Sequence, residues 1–336
     1  MNSIASTQQK SESNKNSGKN LNQSSSQSSS VVVPFKIVEN TKIWLSISGI
    51  LILLSIIAIV MSCLQFGSPV KLGLDFVGGT KIEYKFQKIN SELTPGTVRE
   101  KVLDKINSKL GSDSIAQVAN NDSLVLRTKV LSVDDRSKLD NLLRKSFGEF
   151  EILSVDTVSG SIGPELMKSG LLALLVALIG ILLFVSFRFR RDFAICSIIA
   201  LCHDVLIVVG LFAALGLFFG IEVNILFLTA CLTVLGFSIH DTIVVFDRVR
   251  ENSKLVSKKR SFSQVVNESI AQVWFRSLST SFTVLITLGA LLFFGGETTR
   301  IFAGAMFAGT VFGSYSSIFI ASSLLGWWNS RKTAGK

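Results

Sequence analysis

A chain of 336 residues with 48% hydrophobic side chains, 17% charged side chains and a mean hydropathy of +0.49 does not suit a soluble two-domain enzyme. Soluble domains carry about 25% charged residues, so this composition points to lipid as the solvent. Four prolines and four cysteines exclude Pro-rich linkers and a disulfide-dense scaffold; Cys63, Cys196, Cys202 and Cys231 lie in apolar runs and read as small hydrophobes. A net charge of +10 would suit nucleic acid, but the basic residues sit mostly at the ends of apolar stretches.

The first thirty residues hold four apolar side chains, Met1, Ile4, Ala5 and Leu21, too few to bury a core, and residues 1–40 read as a disordered tail. Ile43 to Leu64 is too long for a cleaved signal and lacks an A-x-A site, so it reads as a first span. Five more stretches reach the roughly 20 residues that a helix needs to cross hydrocarbon. They are Ser169 to Phe187, Phe193 to Ile221, Val223 to Phe246, about Ser269 to Gly296, and Ile301 to Trp328. Six spans put both termini on one side, and a short tail, 329–336, closes the chain. Lys36 and Lys42, then Arg188, Arg190 and Arg191, then Arg248, Arg250, Lys254, Lys258, Lys259 and Arg260, and finally Arg331, Lys332 and Lys336 mark one face. The opposite short connections hold only Glu222, and Glu297 with Arg300. Positive charge is retained on the inside, which predicts cytoplasmic termini. Glu222 and Glu297 read as residues of outer loops without a mechanism.

Residues 66–165 form an outer insert with 14 Lys+Arg and 14 Asp+Glu, so no basic face remains for nucleic acid. Thr80 to Phe86 alternates like a strand, and Thr94-Pro95-Gly96 opens an amphipathic helix through Leu110. Ile115 to Ala119 and Ser123 to Lys129 form strands joined at Asn120-Asn121-Asp122; Asp134 to Phe147 reads as a helix and Ile152 to Val158 as a last strand. The order β-α-β-β-α-β is that of the ferredoxin-like split unit, a binding or docking module here because no catalytic constellation lies on it. The fold class is thus an α-helical integral membrane protein of six helices with an extracytoplasmic ferredoxin-like α+β insert.

A charge at the centre of a spanning helix costs about 2.5–3.5 kcal/mol on insertion scales, so each one calls for a reason. His203-Asp204, His240-Asp241 and Arg276 are such residues. Asp241 precedes Arg248 by seven residues, about 10 Å of helix; Arg276 lies at a comparable depth and His203-Asp204 nearer the midplane. A carboxylic acid there can be neutral, or an anion stabilised by a cation such as Arg276, and exchange between the two is what a proton-driven step requires. Arg276, Thr280, Thr283 and Thr287 follow helical spacing and predict a hydroxyl stripe beside the carboxylate. The alternative is a static Asp241–Arg276 pair that sets helix register, with the threonines as interhelical glue. His203 reads either as a proton acceptor near neutral pH or as a neutral donor orienting Asp204.

Several separated motifs resemble the SecD/SecF family, on its SecF side, and so one half of an RND-type transporter. Gly73-Leu74-Asp75-Phe76-Val77-Gly78-Gly79 is similar to the family's G-x-D-F-x-G-G element, and Gly163 to Leu166 to the segment leading into the second span. His203-Asp204 resembles the H-D-V signature; Ser238 to Asn252, Arg276 to Thr283, and Gly309-Thr310 with Ser314 to Ser322 complete the pattern. His240 departs from it, standing where many relatives carry Asn. The likeness runs from about Thr41 to Trp328. It implies a bacterial inner-membrane subunit without an enzymatic site or cofactor, partnered by SecD, the SecYEG channel, exported preproteins and lipid. Such a subunit couples proton or sodium motive force to late steps of export, with Asp241 as the coupling acid and Arg276 its charge partner. The Gly73 to Gly79 element is then a rigid turn between span and insert, with Gly78 and Gly79 allowing backbone shapes that other residues resist, against the alternative of a plain strand-edge bend. An RND-like small-molecule exporter and a purely structural assembly factor are the competing readings.

Overall fold

The computed structural model describes residues 36–86, 115–119, 123–128, 130–159, 162–257 and 260–334. The predicted tail up to residue 35, the predicted helix Thr94 to Leu110 and the turn 120–122 lie outside them. The described elements are α1 (Thr41–Phe66), a short α2 (Leu74–Val77), β1 (Gly79–Phe86), β2 (Ile115–Ala119), β3 (Ser123–Thr128), α3 (Val133–Phe147) and β4 (Phe150–Val158). They continue as α4 (Ile162–Arg188), α5 (Arg191–Phe219), α6 (Ile225–Asn252), α7 (Phe262–Phe294), α8 (Glu297–Tyr315), a π-helical segment (Ser316–Ala321) and α9 (Ser322–Ala334). Six helical stretches are long and apolar enough to cross a membrane, the sixth formed by α8, the π segment and α9.

The insert is a four-stranded antiparallel sheet in the order β2-β3-β1-β4. This order places β3 between β1 and β2, and β1 between β3 and β4, as the ferredoxin-like split unit requires. Alternation along β1 sends Ile82, Tyr84 and Phe86 to one face, where they meet Leu124 and Leu126 of β3 and Leu139, Leu143 and Phe147 of α3. Ser132 caps α3 by accepting from the Asp135 amide at 3.2 Å; Asp134 and Asp135 occupy its first turn, and Arg144 and Lys145 its last, as the helix dipole favours. The buried Tyr84 hydroxyl donates to Asp140 at 2.7 Å, and burial together with that bond holds the phenol above its ordinary pKa.

Within the bundle, α6 packs against α4, α5, α7 and α8. Helix α1 packs on α5, and its buried residues Thr41, Ser48, Ser55 and Ser62 each lie seven residues from the next. Small side chains at such a seam let helix backbones approach closely in lipid, where burying apolar surface gives little gain. The closest approach is at Gly210 of α5, where an added Cβ would collide with Ser55; Gly309 of α8 meets Val234 of α6 in the same way. Several helices outrun their apolar windows: α7 starts at Phe262, ahead of the expected Ser269, because Ser261 and Gln264 form a capping box in a polar stretch that hydropathy does not register.

Gly210→Val forces a branched side chain onto Ser55. An overpacking cost of about 1–3 kcal/mol is expected, seen as a lower unfolding midpoint in detergent micelles. Gly49→Val, at a position with open space around it, leaves the midpoint in place.

Candidate ion-coupling site

Asp204 and Asp241 lie inside the bundle, and hydroxyl groups hold both. Asp204 of α5 is fully buried. Its Oδ2 accepts from Ser238 Oγ of α6 at 2.5 Å and from Ser316 Oγ of the π segment at 2.7 Å, and its Oδ1 lies 2.9 Å from His203 Nδ1. Asp204 thus joins three elements. The Nε2 atom of His203 is buried without a hydrogen-bond partner, and its ring lies 6.4 Å from that of Tyr315. Asp241 of α6 is 7% exposed. Ser277 Oγ of α7 donates to Asp241 Oδ1, while Asp241 Oδ2 is buried with no partner. A second hydroxyl layer lies alongside: Thr242 Oγ1 and Ser317 Oγ are 2.8 Å apart, and Ser281 Oγ and Ser314 Oγ are 2.6 Å apart.

The expected Asp241–Arg276 contact is not formed. Consecutive residues on a helix are about 100° apart, so Ser277 turns inward and Arg276 outward. Arg276 is exposed and has no acidic partner among the described residues. The expected threonine stripe has its helical spacing but the wrong face. Thr280, Thr283 and Thr287 are exposed and donate to the backbone carbonyls of Arg276, Thr280 and Thr283 at 2.9, 2.8 and 3.1 Å. A hydroxyl bonded to the preceding turn of its own helix leaves the carboxylate alone. The inward stripe runs one residue later, through Ser269, Val273, Ser277 and Ser281, all buried. His240 is likewise exposed beside the buried Asp241. Sequence reasoning missed Ser238, Ser277, Ser316 and Ser317. Their signal was the four-residue recurrence of small residues on α7 and the serine-rich run 314–317, whose π-helical winding turns Ser316 and Ser317 inward together.

At the end of the bundle that carries the insert, the Gly73 to Gly79 element is a helical turn docked into the bundle rather than a strand-edge bend. Gly73 N–H donates to Val223 O at 2.8 Å, and Val223 N–H to Lys71 O at 2.9 Å. Asp75 Oδ2 accepts from the Ile225 amide at 2.9 Å, and so adds a second acceptor at the start of α6 beside Asn224, which takes the Phe227 amide at 3.2 Å. Phe76 is buried in the same core as Val223 and Phe227. Gly78 and Gly79 have φ of 76° and 126°, and a Cβ on Gly79 would lie 2.5 Å from Thr128 O. Glu222, expected to be an idle loop residue, bridges Lys71 at 3.2 Å and Arg127 of β3. It thereby ties the insert to the α5–α6 connection. Burial and the neighbouring Arg127 guanidinium lower the Lys71 pKa.

Asp75→Ala removes an acceptor from the first turn of α6. A loss of about 1 kcal/mol is expected, with faster hydrogen exchange of the Ile225 amide as the measurement. Asp204→Ala strands the hydroxyls of Ser238 and Ser316 and costs about 1–3 kcal/mol in chemical or thermal unfolding. Asp241→Asn costs less than half of that in the same assay, because it leaves an acceptor for Ser277.

Residues 138–331 match the model of the SecD/SecF protein export membrane protein C-terminal region, and residues 64–88 match that of the SecD/SecF GG motif. The protein translocase subunit SecF of Synechocystis sp. is 39% identical over 285 residues, which is 84% of this chain and 90% of that protein. SecF of Thermobaculum terrenum is 41% identical over 84% of this chain and 91% of its own length. The crystal structure of SecDF, a translocon-associated membrane protein from Thermus thermophilus, superposes with a TM-score of 0.73 at 33% identity, covering 88% of this chain. This chain spans 39% of that longer polypeptide. With six spanning helices and a family model over more than half its length, the chain is a multi-pass membrane protein that belongs to the SecD/SecF family of protein-export membrane proteins, on its SecF side.

Proposed function

We propose that this protein works with SecD in the bacterial inner membrane, both termini cytoplasmic, and couples a proton or sodium gradient to late steps of preprotein export through SecYEG. The observation that carries the reading is the asymmetry of Asp241: one carboxylate oxygen held by the Ser277 hydroxyl, the other buried without a partner, and no cation bonded to it among the described residues. A neutral acid suits those surroundings, whereas an anion there would need a counter-charge. Arg276 is one residue from Ser277, and a turn of α7 that brings it toward α6 supplies that charge. Protonation and release then select between two settings of α7 against α6. One elementary charge crossing 100 mV contributes about 2.3 kcal/mol, a roughly fifty-fold bias on such an equilibrium.

The remaining residues have different parts. Asp204, satisfied on both oxygens, and His203 hold α5, α6 and the π segment in register. Movement reaches the insert through α6, whose outer end is fixed to Asp75 about 24 Å along the axis from Asp241. SecD is the partner because polar side chains otherwise face lipid: Thr229, Thr233 and His240 on α6, and Arg276, Thr280, Thr283 and Thr287 on α7, are exposed at membrane depth. The chain carries no ATPase or hydrolase site in this reading; the energy is that of the ion gradient.

The test is reconstitution of the SecD complex with SecYEG in vesicles under proton-only and sodium-only gradients. Asp241→Asn should keep co-purification with SecD but lower gradient-stimulated export at least tenfold, and Arg276→Ala should do likewise. Undiminished export in Asp241→Asn would favour a structural assembly factor. Sensitivity of cells to small toxic compounds, with export intact, would favour an exporter.

A further inference from the structure

At the basic end of the bundle, α4, α6 and α7 line an open cavity of about 790 Å³. Its lining carries five cations, Arg188, Arg248, Arg250, Lys254 and Arg276, against two carboxylates, Asp247 and Glu251. Those carboxylates are already shared. Asp247 lies 3.4 Å from Arg188 and 3.1 Å from Arg250, and Glu251 lies 2.6 Å from Arg248. Lys254 and Arg276 have no acidic partner among the described residues, so the cavity keeps a surplus of three positive charges. Arg188 and Arg250 are both held against the Phe189 ring, at 5.7 and 5.5 Å from its centroid, which restrains the two guanidinium groups before any ligand arrives.

The walls extend from charge into grease. On the last turns of α4, Leu183, Phe184 and Phe187 are exposed, and on α7 the residues Phe275, Leu278 and Phe282 are exposed. A cationic cavity at the end of membrane-spanning helices, with exposed apolar side chains on the adjoining turns of α4 and α7, has the two halves of a phospholipid site. From this geometry we propose that the cavity binds the phosphate of an anionic phospholipid, with the acyl chains along α4 and α7. Guanidinium groups favour a phosphodiester through paired hydrogen bonds, and a zwitterionic headgroup would add a cation to a site already in excess of them. The inference shares Arg276 with the proposed ion coupling, but it needs only the membrane-embedded bundle, and its test through Arg188, Arg250 and Lys254 reads lipid retention with no gradient applied.

The experiment is native mass spectrometry on the delipidated full-length chain in detergent. Phosphatidylglycerol, phosphatidylcholine, glycerol phosphate and inorganic phosphate are the probes. At least tenfold greater retention of phosphatidylglycerol than of phosphatidylcholine is expected, weakening as salt rises. The variant R188Q/R250Q/K254Q should lose that preference, while K36Q/K42Q, at the same end of the bundle but outside the cavity, should keep it. An unchanged unfolding midpoint in lipid-free detergent verifies the fold of the triple variant; if it is unfolded, K254Q alone should still lower retention at least threefold. Equal retention of the two lipids, full retention in K254Q and the triple variant, or displacement of the lipid by equimolar inorganic phosphate would overturn the proposal. So would preferential binding of an oligoglutamate peptide, which would mark the cavity as a seat for an acidic segment of a partner protein.

Discussion

The bundle is organised by the need to satisfy two carboxylates in surroundings that cannot hydrate them. A buried carboxylic group without hydrogen bonds is costly, and so is a poorly matched buried ion pair. Serine hydroxyls answer both problems, since each is a donor small enough for close helix packing. Asp204 gathers Ser238 and Ser316, and Asp241 takes Ser277, so that α5, α6, α7 and the π segment meet where the acids are. The difference between the two acids follows from how completely this is done. Asp204 has partners on both oxygens and serves as a joint, whereas the open oxygen of Asp241 leaves its preferred surroundings dependent on its charge.

Helix α6 connects that chemistry to the insert. Its first amides are held by Asn224 and by Asp75 from a distant segment, and its far half carries Ser238 and Asp241. The helix runs unbroken from Asp241 to the turn that begins the insert. Glu222 strengthens the same junction by reaching Lys71 and Arg127 at once. The glycines of that turn are there for geometry: Gly73 and Gly79 bring backbone against Val223 O and Thr128 O, at distances that exclude a side chain.

Much of the architecture was legible from residue order. Hydropathy located six spans, the period-two pattern of Thr80 to Phe86 located β1, and the positions of Asp204 and Asp241 in apolar runs marked them as costly residues. The seven-residue spacing of Thr41, Ser48, Ser55 and Ser62 was equally present, yet it reads as noise until Gly210 is set against it. The polar partners were the weak point. Arg276 and Thr280 attract notice because they are unusual in a span, and Ser277 and Ser281 do not, although one step of 100° puts Ser277 at Asp241, Ser281 at Ser314 and the arginine outside.

What residue order determined by itself was therefore the medium, the number of crossings, the strands of the insert and the identity of the costly acids, because these follow from transfer energies and local periodicity. Tertiary structure decided which neighbours satisfy them. The rotation of each helix about its axis is set by packing at glycine and serine seams, and that rotation, which no local pattern contains, chose hydroxyls over a guanidinium. Long-range contacts such as Asp75 with the Ile225 amide and Glu222 with Arg127 depend on chain segments meeting in space, and a mixed-polarity loop looks idle until its partner is known.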